Sequence, residues 1–245
     1  LYVSTFRQII RFDRNWRSYR VAGTRLGSST ITDGIPARDV SLYDPLGLVF
    51  DAAGDLYVSV RSKNAVYRID PAGRMWHVAG NGTYGTGGDG GPAKEAELAY
   101  PEALLFDGEG NLYISCPGYG SDIPNLARIR KVDRDGMITT FAGGGTVKLR
   151  NWLEDPSAYG EDLHREDLAL NALYPPCMQF GPEGDFYFPA TWGTISYRSI
   201  QFIVRANRDT GLLSLVAGSA EAHPLLGSYA ESAPAFMSKF EQIGD

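Results

Sequence analysis

The sequence predicts an all-β fold, a β-propeller of four-stranded antiparallel blades with about four blades in this chain. Three recurrences carry that prediction. LYV at residues 1–3 returns as LYV at 56–58, LYI at 112–114 and FYF at 186–188. VAG at 21–23 returns at 78–80, as FAG at 141–143 and as VAG at 216–218. Between them stand IIRFD (9–13), VYRID (66–70), IRKVD (129–133) and IVRAN (203–207). Self-similarity at a fixed period marks a repeat architecture, and tandem four-stranded antiparallel units are what a propeller is made of.

Each unit reads as strands A to D. Strand A resembles GLVFD, B resembles LYVSV, C resembles AVYRID and D resembles RMWHVAG, all alternating and rich in β-branched or aromatic residues. LGLVFDAAGD (46–55), ALLFDGEGN (103–111) and MQFGPEGD (178–185) are A–B hairpins, in which Gly54, Gly110 and Gly184 meet the need for positive φ. DPAGR and DRDGM are C–D turns, with Pro71 where its fixed φ suits the turn. The units run about 1–45, 46–101, 102–176 and 177–245, within one domain.

Recurrent side chains have structural readings. Tyr57, Tyr113 and Tyr187 sit mid-strand, packing between blades with the hydroxyl reaching a polar partner. Arg11, Arg68, Lys131 and Arg205 share one register in strand C and are expected to be solvated or salt-bridged. Asp33 and Asp89, in the recurring Asp-Gly-x-Pro-Ala at 33–37 and 89–93, are expected to bond backbone amides of their own turns. Structural calcium is the alternative there, because acidic turns offer oxygen ligands; no other cofactor is expected.

Gly80, Gly82 and Gly85 match the G-x-G-x-x-G spacing of a dinucleotide loop, but a cradle for pyrophosphate needs a helix directly after the glycines. TGGDGGPA follows instead, so the stretch reads as a blade connector.

Bulk properties narrow the function. No run of 18 apolar residues exists, so no helical membrane span is expected. Net charge is −6 with scattered basic residues, which disfavours nucleic acid as a partner. Cys116 and Cys177 have no metal-ligand spacing; they read as buried thiols, or as a disulfide in a secreted protein.

The pattern AGNGTYGTGGDGGPAKEAELAYPEALLFDGEGNLYIS followed by RIRKVDRDGMITTFAG resembles NHL repeats, in the long glycine-rich form of bacterial secreted and surface proteins and teneurins. The resemblance covers essentially the whole chain, most closely 71–143 and more weakly 144–240. It implies a six-bladed propeller and an extracellular, cell-surface or periplasmic setting. The chain opens on a strand B and ends in FMSKFEQIGD, which resembles the lead-in to a strand A. Further blades outside the stretch, or closure against another chain in a homo-oligomer or assembly, are therefore expected. NHL-like propellers include amidating lyases that hold a central metal with histidines on inner strands. The matching segments 46–51, 103–107 and 177–181 contain no histidine, so that chemistry is not carried over. No residue set supports a streptogramin-inactivating lyase activity either.

Topology then places the working surface. A–B and C–D turns leave one face and are short, whereas B–C loops and connectors leave the other and carry the length variation, at 116–125, 144–175, 190–199 and 219–240. Loops on a rigid scaffold collect binding residues, and Tyr119, Trp152, Tyr159, Trp192, Tyr197 and Arg198 suit recognition of a protein or glycan. The expected function is thus a non-catalytic binding or assembly module. The alternative is a metal-dependent propeller lyase or hydrolase, for which His164 and His223, with Asp162 nearby, are the candidate ligands; solvated loop histidines are the plainer reading. His77, beside Trp76, reads as a sheet-surface residue.

Overall fold

The computed structural model describes residues 1–28, 30–118, 126–148, 163–170, 177–192 and 200–217. It is all-β apart from three single-turn 3-10 segments among the described residues. Blade 1 holds β1 (Tyr2–Ser4), β2 (Ile9–Phe12) and β3 (Ser18–Ala22). After β4 (Ile35–Pro36), blade 2 comprises β5 (Pro45–Phe50), β6 (Leu56–Val60), β7 (Ala65–Ile69) and β8 (Arg74–Ala79). Blade 3 is β9 (Leu104–Phe106), β10 (Leu112–Cys116), β11 (Arg128–Val132) and β12 (Ile138–Ala142). The short strands β13 (Val147–Lys148) and β14 (Leu168–Ala169) pair in the next connector. Blade 4 is β15 (Gln179–Phe180), β16 (Phe186–Trp192), β17 (Ile200–Ala206) and β18 (Leu213–Ala217).

Blades 2 to 4 are antiparallel meanders in the order A-B-C-D, and blade 1 shows the same B, C and D strands. Consecutive blades pack face to face, which is the architecture of a β-propeller. Every C–D pair slips register at the same point, between Ile9 and Ile10, Val66 and Tyr67, Ile129 and Arg130, and Ile203 and Val204. A bulge at that place bends and twists each blade alike.

The turns obey the sequence. Gly54, Gly110 and Gly184 all have φ near +87° or +86°. The turn aspartates accept backbone amides: Asp51 from Ala53 and Asp55, Asp107 from Glu109 and Asn111, Asp133 from Asp135 and Met137.

The core is three apolar layers at the blade junctions. The first joins Ile9 and Ala22 to Leu56, Val58 and Met75, the second joins Val66 and Ala79 to Leu112 and Ile114, and the third joins Ile129 and Ala142 to Phe186 and Val204. One contact repeats at each layer. The strand-B tyrosine meets the strand-A phenylalanine of the following blade edge-on: Tyr2 with Phe50 at 5.0 Å, Tyr57 with Phe106 at 4.9 Å, Tyr113 with Phe180 at 5.2 Å. Edge-to-face pairs of this kind add about 1 kcal/mol each beyond burial. The expected inter-blade packing is therefore present, and the Tyr113 hydroxyl donates to Asp107 as anticipated.

The connectors latch the outer edges. Ile35–Pro36 adds to β8 as a fifth strand, and Pro92 bridges to Met137 at the same place on blade 3. Proline suits a sheet edge because it has no amide to leave unpaired. The Asp-Gly-x-Pro-Ala motif recurs because it is this latch.

Candidate functional site

Strands B, C and D of each blade contribute one residue each to a row on one face of the sheet, which in blades 1 to 3 looks towards the next blade. The rows read Tyr2–Arg11–Tyr19, Tyr57–Arg68–Trp76, Tyr113–Lys131–Thr139 and Tyr187–Arg205–Ser214. A cation thus sits in the middle of every row. In blade 2, Arg68 Nη1 donates to Asp55 at 2.9 Å and stacks on Trp76, whose indole donates to Asp70. In blade 4, Arg205 pairs with the buried Asp185. The expectation of salt-bridged strand-C cations holds for these two.

Blade 3 departs from the pattern three times. Asn111 stands where blades 2 and 4 have Asp55 and Asp185, and it donates to Asp107 at 2.7 Å instead. Lys131 consequently has no carboxylate partner among the described residues and rests 5.7 Å from the Tyr113 ring. Thr139 stands where blades 1 and 2 have Tyr19 and Trp76. Finally Arg165 occupies the latch position of Ala37 and Ala93: its carbonyl accepts from Gly143 and its amide donates to Gly211, as those alanines do with Gly23 and Gly73, and with Gly80 and Gly136. Its guanidinium lies 4.4 Å over Phe141 and donates Nε to the Phe141 carbonyl.

These departures open a cleft of about 830 Å³ between blades 3 and 4, at the end carrying the short turns. Phe141 and Phe180 line it apolarly, Thr139, Thr140 and Asn207 add polar groups, and Lys131, Arg165 and Arg208 bring positive charge. Asp107 also lines it but is saturated by the Glu109 and Asn111 amides, the Asn111 side chain and the Tyr113 hydroxyl. Burial pushes its carboxyl up, yet those donors outweigh burial and hold it below the usual range. Burial, with the Asp107 charge beside it, pushes the Tyr113 phenol well above its ordinary value. A smaller cleft of about 480 Å³ lies at the equivalent place between blades 1 and 2, lined by Arg11, Tyr19 and Arg38.

The glycine-rich connector is occupied by its own chain. The Gly87 amide donates to the Glu97 carboxylate at 3.0 Å, and a Cβ on Gly85 would lie 2.2 Å from the same oxygen. The loop encloses an internal acid where a phosphate would have to sit. Asp33 and Asp89 are a correction: neither bonds amides of its own turn. Asp33 accepts from the His77 amide at 2.6 Å and from Lys94 at 3.1 Å, and chiefly the former holds its carboxyl below the usual range. Asp89 accepts from Arg130 at 2.7 Å. Both tie a connector to the following blade, because the motif lies on that blade's edge.

Of the sequence-derived candidates, Tyr119, Trp152, Tyr159, Tyr197, Arg198, Asp162 and His223 lie outside the described residues. Trp192 is the last residue of β16, paired with Ile200. His164 bridges to Leu212 at the latch position that Pro36 and Pro92 hold in the earlier connectors, so it belongs to a recurring edge contact. His77 lies on β8 with its ring 5.5 Å from Tyr67 and Nε2 2.6 Å from the Gly80 carbonyl. Among the described residues no three His, Cys, Asp or Glu converge as metal ligands would. Cys116 and Cys177 are free thiols; Cys116 is buried as expected, but Cys177 is exposed where a buried thiol was anticipated, because it lies ahead of β15 outside the apolar layer. No described helix is long and apolar enough to cross a membrane.

No protein-family model matches the chain. Among solved structures it is similar to a protein of unknown function from Bacteroides thetaiotaomicron, at 22% identity and TM-score 0.51, over 76% of this chain and 40% of that one. An auxiliary nutrient-binding protein from Bacteroides ovatus matches at 16% identity and TM-score 0.48, over 76% and 42%. A gluconolactonase from Xanthomonas campestris matches at 11% identity and TM-score 0.49, over 86% and 55%. The chain therefore spans between two-fifths and just over half of the length of these structures, and at such identities the likeness extends to the fold alone.

Proposed function

We propose that this chain is a non-catalytic binding module of a secreted or cell-surface protein, built from NHL-type repeats, which recognises a protein or glycan through the blade ends that carry B–C loops and connectors. One observation supports the reading above others: the two ends of the blades differ. At one end Leu56 faces Ile69, Leu112 faces Val132 and Phe186 faces Ala206, and the turns beyond are short, anchored by Asp51, Asp70, Asp107 and Asp133 in blades 2 and 3 and by Asn207 in the C–D turn of blade 4. At the other end, strand B runs into a tight turn at Arg61–Lys63 in blade 2, into residues 117–127 in blade 3 and into 193–199 in blade 4. Elaboration of one end on an otherwise uniform scaffold supports recognition there, because binding residues collect on such loops.

The test is a chimera in which 117–127 and 193–199 are each replaced by the Arg61–Asn64 turn. Native chain and chimera are compared against arrays of extracellular proteins and surface glycans. The chimera should keep the native far-ultraviolet spectrum and melt within a few degrees of the native chain, and lose binding. Retained binding by a folded chimera overturns the proposal, and stoichiometric metal with turnover in the native chain would favour a propeller lyase or hydrolase instead.

A further inference from the structure

We infer that the cleft between blades 3 and 4 is a binding site for a short acidic saccharide, carrying carboxylate or sulfate groups. It lies at the opposite end of the blades from the loop surface proposed above and stands independently of that reading.

Repetition supplies the argument. In a repeat protein the neighbouring blades are internal controls, and a departure from them needs its own cause. Blade 3 differs from blades 2 and 4 at Asn111, from blades 1 and 2 at Thr139 (blade 4 has Ser214 there) and from the earlier latches at the connector residue Arg165, and all three bear on one cleft. Asn111 withdraws the carboxylate that would clamp the strand-C cation, leaving Lys131 without an acidic partner among the described residues. Thr139 replaces an aromatic ring by a small hydroxyl and clears the space. Arg165 places a guanidinium where the other latches have a fully buried alanine. Lys131 without a carboxylate clamp and Arg165 at the same junction leave the cleft positively charged, which favours an anion there.

The lining specifies the class. Lys131, Arg165 and Arg208 surround the cleft, and Arg208 lies across the Gly184 turn with no carboxylate partner among the described residues. Arg165 is only partly neutralised, with Glu166 at 3.6 Å. Asp107 accepts from four donors of its own blade, which leaves Glu109 as the lining carboxylate without a described side-chain partner. The balance is therefore positive. Phe180 supplies an aromatic ring against which the C–H face of a pyranose can pack, while Thr139, Thr140, Asn207 and Glu109 offer the mixed donors and acceptors that sugar hydroxyls require. A purely inorganic anion would leave the ring and these polar groups unused, and a neutral sugar would leave the cations unused. At about 830 Å³ the space admits more than one sugar unit.

Titration calorimetry on the full chain tests this with trigalacturonate, maltotriose and inorganic sulfate at low ionic strength. Trigalacturonate should bind, and about 10-fold or more tighter than either other probe, since each charge-assisted hydrogen bond to the carboxylates is worth about that factor. Lys131→Ala and Arg208→Ala should each weaken it about 10-fold. Thr139→Trp, which installs the blade 2 residue, should abolish binding while the chain still melts cooperatively. Failure of trigalacturonate to bind the native chain, or equal binding to Thr139→Trp, overturns the inference, and so does sulfate binding as tightly as the trisaccharide. The loop chimera described above should retain trigalacturonate binding, so each proposal fails on its own terms.

Discussion

Blades 2 and 3 have the same strand order, the same C–D bulge and the same aspartate-anchored turns, yet they treat polar groups in opposite ways. Blade 2 ties its row off internally, with Asp55 on Arg68 and Asp70 on Trp76. Blade 3 leaves the equivalent row open towards blade 4 and places its strongest internal cation one residue earlier. Arg130 is 1% exposed and donates Nη1 to the Glu97 carbonyl and Nη2 to Asp89, and so holds the glycine-rich connector down. Blade 2 has Tyr67 at that position. The backbone plan is thus common to the repeats, while the choice of which cation is clamped decides which junction is sealed and which is accessible.

The largest effect should come from that buried arginine. Arg130→Ala removes the donors to Glu97 and Asp89 and leaves a void under the connector, and losing one side of a buried charged network costs about 3 kcal/mol or more. Arg130→Tyr, which copies blade 2, refills the volume and should recover part of the loss. Urea melts of the two variants would read this, and equal stability of Arg130→Ala and the native chain would show that the connector is held by its backbone bonds alone.

The clamp in blade 2 gives the next effect. Asp55→Asn makes blade 2 resemble blade 3, and because Arg68 is about one-third exposed the loss should be about 1 kcal/mol, screened by salt. A variant no less stable at low than at high ionic strength, relative to the native chain, would mean that the pair contributes nothing.

Asp107 sharpens the comparison through pH. Its folded pKa lies below its unfolded value, so its contribution is complete above about pH 4 and is lost as pH falls through the lower folded value. Stability of the native chain should therefore decline below about pH 4 more steeply than that of Asp107→Asn. Parallel acid limbs in the two proteins would assign the acid sensitivity to other turn aspartates, such as Asp70, which the Arg74 amide chiefly holds low.

How far the sequence exposed all this depended on what repeated. LYV, VAG and the Asp/Gly turns recur, and they placed the strands, the turns and the faces. The open cleft consists of departures from the repeat, and a departure is visible only once the units are aligned residue by residue in register. The third latch shows the difficulty. RDVSL (38–42) and KEAEL (94–98) correspond to EDLAL (166–170), with Leu42, Leu98 and Leu170 all buried, but His164 and Arg165 replace the Pro-Ala that made the first two recognisable. His164 consequently read as a loop residue with metal-binding potential. The acid–x–x–Leu spacing was the signal that could have placed it. Arg130 has no counterpart in the repeat pattern and stands next to Lys131 in sequence, and only its burial separates the two.

Cys116 is the smallest difference between the blades and tests whether their cores are interchangeable. It occupies the position of Val60, both fully or almost fully buried, so it packs as a small hydrophobe. Burial pushes its thiol up to about 12, which leaves almost no thiolate near neutral pH. Native protein treated with a thiol reagent at pH 8 should therefore modify Cys177 alone, and Cys116 only after unfolding. Cys116→Val should change stability by less than about 1 kcal/mol, because it substitutes a residue of similar size that the neighbouring blade already carries there. A larger loss would mean that blades 2 and 3 differ in the shape of their inner layers as well as in their polar rows. Rapid native-state labelling of Cys116, with the Val variant as the one-thiol control, would mean that the blade 3 edge opens readily, and the open junction would then be a property of the blade's dynamics as much as of its side chains.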